Sequence, residues 1–261
     1  MRRRLAWRVR RRGVGTAMAL VAMLVLLAAC DRPESAKDTD GAAPAGSPAS
    51  RAETAATTGS AGTPPVEPRG PAPLQVLILG TSLTAGLGLD PDSAWPALLQ
   101  RKADSAGLPV RIRGAGLSGE TSAGALRRVE WLLREPADVV MIETGANDGL
   151  RGLDVDSTRA NLRAILQRVR AARPAARLLL AQMEAPPNLG DTYTTRFREM
   201  FPAVARAEGA LLVPFLLDGV AGIPDLNQGD GIHPNEAGSR RVADNVWRTL
   251  APELERLTRD R

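Results

Sequence analysis

Between Leu74 and Leu257 the chain alternates five times between a short apolar run, followed by a turn, and a stretch with apolar residues at helical spacing. The runs are Leu74 to Leu79, Val110 to Gly114, Asp138 to Glu143, Arg177 to Met183 and Ala210 to Phe215. Runs this short and this apolar read as strands buried on both faces. The stretches between them read as helices at Ser93–Ala106, Thr121–Arg134, Val155–Arg173 and Thr192–Glu208, with a last helix at Asn235–Leu257. In Val155–Arg173, for example, Leu162, Ile165, Leu166 and Val169 fall on one face, and Pro174 stops the helix. Strands alternating with helices predict an α/β fold, a five-stranded parallel sheet covered on both faces. Aromatic residues make up only 3% of the chain, so Leu, Ala, Val and Ile must supply the core.

Right-handed crossovers bring the carboxyl ends of parallel strands to one edge. That edge receives the turns after Leu79, Gly114, Glu143, Met183 and Phe215. Four clusters of unusual residues fall on these turns or just beyond them. The first is Gly80-Thr81-Ser82-Leu83-Thr84-Ala85-Gly86, which fits neither a phosphate-binding loop nor the G-x-S-x-G elbow. Taken alone, Ser82 reads better as a helix cap than as a nucleophile. The second, Gly114 to Thr121, allows a close backbone approach and a bare N–H at Gly119; a flexible turn with Ser118 or Thr121 as cap is the simpler reading of that stretch. The third, Glu143 to Gly149, contains Asn147-Asp148-Gly149, which is common in plain turns, although an Asn147 amide could donate to an oxyanion.

The fourth cluster is Asp230-Gly231-Ile232-His233-Pro234-Asn235. His233 is the only histidine in the chain, so an imidazole base, if one is used, is His233. Asp230 is three residues away, close enough to fix the ring's tautomer. A surface histidine beside a helix cap at Asn235 is the alternative. One histidine and one cysteine leave too few ligands for a zinc site. Together the clusters place a serine, an Asp–His pair, a glycine N–H and an asparagine amide on one edge, which is a full set for acyl transfer.

The amino-terminal part has a different character. Residues 1–29 hold seven arginines and no acid; removing their +7 from the chain's +5 leaves −2. The basic pI of about 10.4 therefore belongs to this segment, and the rest shows no footprint for nucleic acid. Arg2 to Arg12 form a positive region, and Val14 to Leu27 an apolar one of signal-peptide length. The segment ends Leu27-Ala28-Ala29-Cys30, with the chain's single cysteine last, and resembles a bacterial lipoprotein signal. That resemblance implies cleavage after residue 29, lipid on Cys30, and a membrane anchor facing the periplasm. An uncleaved signal anchor is the simpler alternative, and a twin-arginine signal is only weakly indicated. One cysteine permits no intrachain disulfide. Residues 30–73 are rich in Ala, Pro, Gly, Ser and Thr, which predicts a disordered linker reaching roughly 35 Å.

The four clusters, in this order and spacing, resemble the SGNH hydrolases, also called the GDSL esterase/lipase family. The matching residues are Gly80-Thr81-Ser82-Leu83, Gly119, Gly145-Ala146-Asn147-Asp148 and Asp230-Gly231-Ile232-His233-Pro234. Trp95-Pro96-Ala97-Leu98-Leu99 and Gly119-Glu120-Thr121-Ser122 look most like the thioesterase I, lysophospholipase L1 and arylesterase branch. The resemblance covers roughly Leu74 to Leu250 within a domain of residues 74–261. It implies a three-layer α/β/α sandwich, with Ser82 as nucleophile, His233 as base and Asp230 as its orienter. The oxyanion hole would be the Ser82 and Gly119 N–H groups and the Asn147 side chain. Leu150 and Pro187 would line the substrate. No cofactor or metal is implied, and a monomer is expected. The family usually places Asp where this chain has Thr81, which puts rate and pH profile in question.

These readings lead to a membrane-tethered hydrolase of acyl esters or thioesters. A carbohydrate O-acetylesterase and a non-catalytic binding lipoprotein are the alternatives.

Overall fold

The computed structural model describes residues 72–261. The readings of the signal segment, of Cys30 and of the linker lie outside the described residues. Five strands form one parallel sheet: β1 (Leu74–Gly80), β2 (Val110–Gly116), β3 (Val139–Ile142), β4 (Arg177–Ala181) and β5 (Leu211–Val213). Their order is β2-β1-β3-β4-β5. The chain thus steps to one side of β1 for β2 and to the other side for β3. This reversal is the switch point at which open α/β sheets leave a crevice beyond their carboxyl ends.

The helices are α1 (Ser82–Ala85), α2 (Trp95–Ser105), α3 (Ser122–Leu132), α4 (Ala146–Leu150), α5 (Val155–Ala172), α6 (Asp191–Ala207) and α7 (Glu236–Arg259). α2 packs on α7, while α3 packs on α5 and α5 on α6. With right-handed crossovers, the reversal at β1 sends the first pair to one face and the other three to the opposite face. The result is the α/β/α sandwich. β3 is buried along its whole length and β1 at every residue but Gln75, as their continuous apolar runs require. Three of the scarce aromatics, Trp95, Phe197 and Phe201, are fully buried, and Phe197 meets Phe201 edge-on at 5.5 Å, while Trp131 is exposed.

Element boundaries shift for identifiable reasons. The helix expected from Ser93 starts at Trp95, after a 3-10 turn at Pro91–Ser93. Pro96 lacks an N–H, and a helix's first turn, where that N–H would have no partner, accommodates it best. β2 runs to Gly116 rather than Gly114, because Gly116 still pairs with Gly80. A side chain at Gly116 would lie 2.2 Å from Ala85 N and 2.7 Å from the Thr81 carbonyl. Only glycine lets the turn after β1 rest directly on β2. The Asn-Asp-Gly stretch, read as a turn, is the helix α4. No helix among the described residues is long and apolar enough to cross a membrane.

Candidate active site

β1 ends at Gly80, and Thr81 begins the next helix as its cap, its Oγ1 accepting from Leu83 N at 3.4 Å. Ser82 is therefore the first residue inside α1 and not the cap, which corrects the reading of that stretch taken alone. Its N–H belongs to the set a helix start leaves without an internal partner. The turn is seated on Glu143, the residue just after β3. The Glu143 carboxylate accepts from Thr81 N at 2.8 Å, from Thr81 Oγ1 at 3.0 Å and from Thr84 Oγ1 at 2.7 Å. Burial pushes this carboxyl up to about 7, against the lowering effect of the Thr81 and Thr84 hydrogen bonds. Thr81 thus supports the turn through its backbone N–H and its hydroxyl, without adding a second charge beside Glu143.

His233 arrives from the other end of the chain. Its segment is pinned where Gln228 N donates to the His233 carbonyl at 2.7 Å and Gln228 Nε2 to the Leu87 carbonyl at 2.7 Å. Asp230 Oδ1 accepts from the N–H groups of Ile232 at 2.9 Å and His233 at 3.0 Å. Its other oxygen, Oδ2, lies 2.6 Å from His233 Nδ1, and His233 Nε2 lies 2.8 Å from Ser82 Oγ. The hydrogen bond from the ring, then the two backbone N–H groups, hold the Asp230 carboxyl down to about 2. A carboxylate can only accept, so Nδ1 carries the proton and Nε2 is left to accept from the serine hydroxyl.

The glycine loop after β2 lies beside this pair. Gly119 takes a φ of +75°, a left-handed conformation that favours glycine. Among the described residues neither Ser82 N–H nor Gly119 N–H has a hydrogen-bond acceptor. The Asn147 amide sits at the start of α4 and donates one hydrogen to the Glu120 carbonyl at 2.9 Å, which leaves its second hydrogen available. Asp148, its buried neighbour, takes Ser122 Oγ at 2.6 Å and Ser122 N at 2.8 Å, tying α4 to the start of α3. Thr121, not Ser118, caps α3. Sequence reasoning missed the roles of Glu143 and Asp148; the signal of Glu143 was an acid at the end of a buried apolar strand, and that of Asp148 an acid among small residues in the stretch that follows.

Leu150 and Pro187 line a mainly apolar groove of about 360 Å³, together with Ala146, Met183, Phe215 and Ile232. Ala146 is the chain neighbour of Asn147, and Ile232 of His233, which sets the groove next to the site; Ser82 and His233 themselves line a separate small hollow with Leu83, Trp95 and Pro234. Larger hollows lie elsewhere, as between α2 and α7 at Leu98 and Trp247, but they hold none of the residues above. Among the described residues no group of three or more His, Cys, Asp or Glu could hold a metal ion. A hydroxyl on an imidazole oriented by a carboxylate, facing two bare N–H groups, can attack a carbonyl and hold the resulting oxyanion.

Known proteins resemble this chain in sequence and in fold. The profile of the GDSL-like lipase/acylhydrolase family matches residues 78–241. Esterase TesA of Pseudomonas aeruginosa is 44% identical over 181 residues, 69% of this chain and 89% of that protein. Thioesterase 1/protease 1/lysophospholipase L1 of Escherichia coli is 39% identical over 178 residues, 68% of this chain and 83% of that one. Among solved structures, TesA superposes with a TM-score of 0.65 at 43% identity, covering 68% of this chain and 98% of its own. The esterase EstA from Pseudoalteromonas sp. superposes at 0.66 with 37% identity, covering 69% and 98%. With a profile that spans more than half of the chain, and relatives matched over most of their length, the chain belongs to the GDSL-like lipase/acylhydrolase family and is a serine hydrolase.

Proposed function

We propose that the chain hydrolyses carboxylic esters or thioesters of acyl chains through an acyl-enzyme on Ser82. The observation that carries this is the chain of contacts from Asp230 through His233 to Ser82, at 2.6 and 2.8 Å. Ser82 Oγ attacks the acyl carbonyl as its proton passes to His233 Nε2. The carbonyl oxygen, now negative, is held by Ser82 N–H, Gly119 N–H and the free hydrogen of the Asn147 amide. The C–O or C–S bond breaks, and the imidazolium returns its proton to the leaving alcohol or thiol. Water then attacks the acyl-serine, giving its proton to His233. The acid departs and Ser82 is restored. Asp230 stays a carboxylate throughout, since its pKa of about 2 lies far below neutrality.

The apolar groove at Leu150, Pro187 and Ile232 supports an acyl chain of several carbons over the acetyl group of a sugar. The names of the relatives, esterase and thioesterase 1/lysophospholipase L1, support the same substrate class. A rate series from acetyl to palmitoyl, as p-nitrophenyl esters and as CoA thioesters, tests it; a maximum at acetyl would favour the O-acetylesterase reading. Ser82→Ala is expected to remove nearly all activity, about 10³-fold or more. Equal rates for mutant and wild type would sink the assignment. We place the protein in a bacterial cell envelope, anchored through a lipidated Cys30 and facing the periplasm. Supporting this is Leu27-Ala28-Ala29-Cys30 behind a basic and an apolar stretch. Mass spectrometry of the mature amino terminus tests the anchor.

A further inference from the structure

The turn carrying Ser82 and the loop carrying Gly119 leave the sheet from adjacent strands, β1 and β2. Two backbone donors stabilise one oxyanion only when both point to the same place, so the spacing of these segments matters to the rate. One side chain fastens both. Arg128, in the middle of α3, donates from Nη2 to the Gly80 carbonyl at 3.0 Å and to the Ala115 carbonyl at 2.9 Å. The same guanidinium grips the Glu120 carboxylate, with Nε at 2.7 and 2.9 Å from its two oxygens and Nη2 at 2.6 Å. Gly80 lies two residues before Ser82, and Glu120 directly follows Gly119.

The pair is sheltered, with the Glu120 side chain 4% exposed and that of Arg128 21%. Helix α3 makes room for it: a side chain at Gly124 would meet Glu120 Cγ at 2.7 Å. A planar guanidinium can hold a carboxylate and two carbonyls at fixed angles, which a lysine cannot. From the far side, Asn147 Nδ2 holds the Glu120 carbonyl and Arg151 Nη2 the Gly119 carbonyl, both at 2.9 Å. Loss of Arg128 would leave the start of the loop tied to the Ser82 turn through Leu117 N, 3.0 Å from the Gly80 carbonyl, while the stretch at Gly119 and Glu120 loses its own link to that turn and can shift relative to it.

We propose that Arg128 is a positioning residue for the oxyanion donors: by bridging Gly80 and Glu120 it sets the separation of the Ser82 and Gly119 N–H groups, without touching substrate. The inference rests on the hydrolase reading above and goes a step beyond it. Its test uses the full chain carrying Arg128→Met, Arg128→Lys or Glu120→Gln. Three quantities are measured: kcat and KM on p-nitrophenyl butyrate, the labelling rate of Ser82 by a fluorophosphonate, whose phosphoryl oxygen calls on the same donors, and Tm.

Outright loss of an oxyanion donor costs about 10²–10³-fold in kcat, so misplacement is expected to cost about 10- to 100-fold in kcat and in labelling rate alike, with KM changed less than about 3-fold. Arg128→Lys is expected to recover part of the loss, since an ammonium still reaches the carboxylate. Glu120→Gln keeps the side-chain shape while weakening the grip, so the proposal remains testable should Arg128→Met fail to fold. Wild-type kcat and labelling rate in the variants, measured well below their Tm, would overturn the proposal even if Tm falls. A wild-type protein that neither turns over the ester nor labels at Ser82 would overturn the hydrolase reading and this inference with it.

Discussion

Glu143 is fully buried beneath the Ser82 turn, and its partners are an N–H and two hydroxyls, with no cation among them. Its carboxyl is pushed from 4.5 to about 7 by burial. The sign follows from linkage. An acid whose folded pKa lies above its unfolded one binds its proton more tightly when folded. Its contribution to stability is complete below about pH 4.5 and is lost as pH rises to about 7. Relative to Glu143→Gln, which does not titrate, the wild-type unfolding free energy is expected to fall by up to about 3 kcal/mol between pH 4.5 and 7.5. Urea unfolding of both proteins at the two pH values measures it. A constant difference would mean that Glu143 does not titrate in this range. Thr81→Asp would set a second carboxylate against Glu143 and move the transition to still higher pH, because like charges at one site resist joint ionisation. Replacing the family's usual Asp with Thr therefore simplifies the charge under the nucleophile turn while keeping its hydrogen bonds.

α7 starts at Glu236 under the Asn235 cap, whose Oδ1 accepts from Gly238 N at 3.0 Å. At Gly238 a side chain would lie 2.1 Å from the Leu226 carbonyl, a backbone atom that cannot swing aside. Leu226 is tied in turn to the His233 segment, since Asn235 N donates to its carbonyl at 3.0 Å. Alanine is the better helix former, and in an open helix Gly→Ala is stabilising. Here the contact wins: Gly238→Ala is expected to cost about 1–3 kcal/mol, the usual range for overpacking, and to lower kcat by displacing His233. Thermal unfolding and kinetics on one ester check both effects. A raised Tm would show that the short 3-10 turn carrying Leu226, Pro224–Leu226, yields freely. The sequence pointed to the helix and its cap, but not to the backbone that crosses within touching distance.

At the scale of the molecule, the described residues form a closed unit. The sheet is covered on both faces, Val76, Ile78, Val140 and Leu180 are almost wholly buried, and the termini of the unit meet, with Arg261 Nη1 on the Ala72 carbonyl at 2.7 Å and Nη2 on Asp138 at 2.6 Å. A protein starting at residue 72 should fold cooperatively, with kcat on a soluble ester within about 2-fold of that of a protein starting at residue 31. A loss of Tm or kcat in the shorter protein would mean that the preceding stretch takes part in the fold, against its reading as a linker.

Much of this was legible in the sequence alone. Continuous apolar runs such as VLIL and VVMI require burial on both faces, and with alternating helices they determine a parallel sheet. A single histidine with Asp230 three residues before it limited the choice of base to one residue. Three features waited for the tertiary structure. Whether Ser82 was a cap was decided by the strand end, because Thr81 takes that place once Gly80 stacks on Gly116. Glu143 looked like a strand end and Asp148 like a turn residue; they became buried acceptors because the β1 turn and the start of α3 fold over them. The Arg128–Glu120 grip joins residues eight apart in sequence, but its purpose appears only when Gly80, 48 residues away from Arg128, arrives at the same guanidinium. Local spacing fixes which elements form, since their hydrogen bonds and apolar periods are local; which carboxylates become buried and what each side chain holds depends on strand order, a long-range property that no local window contains.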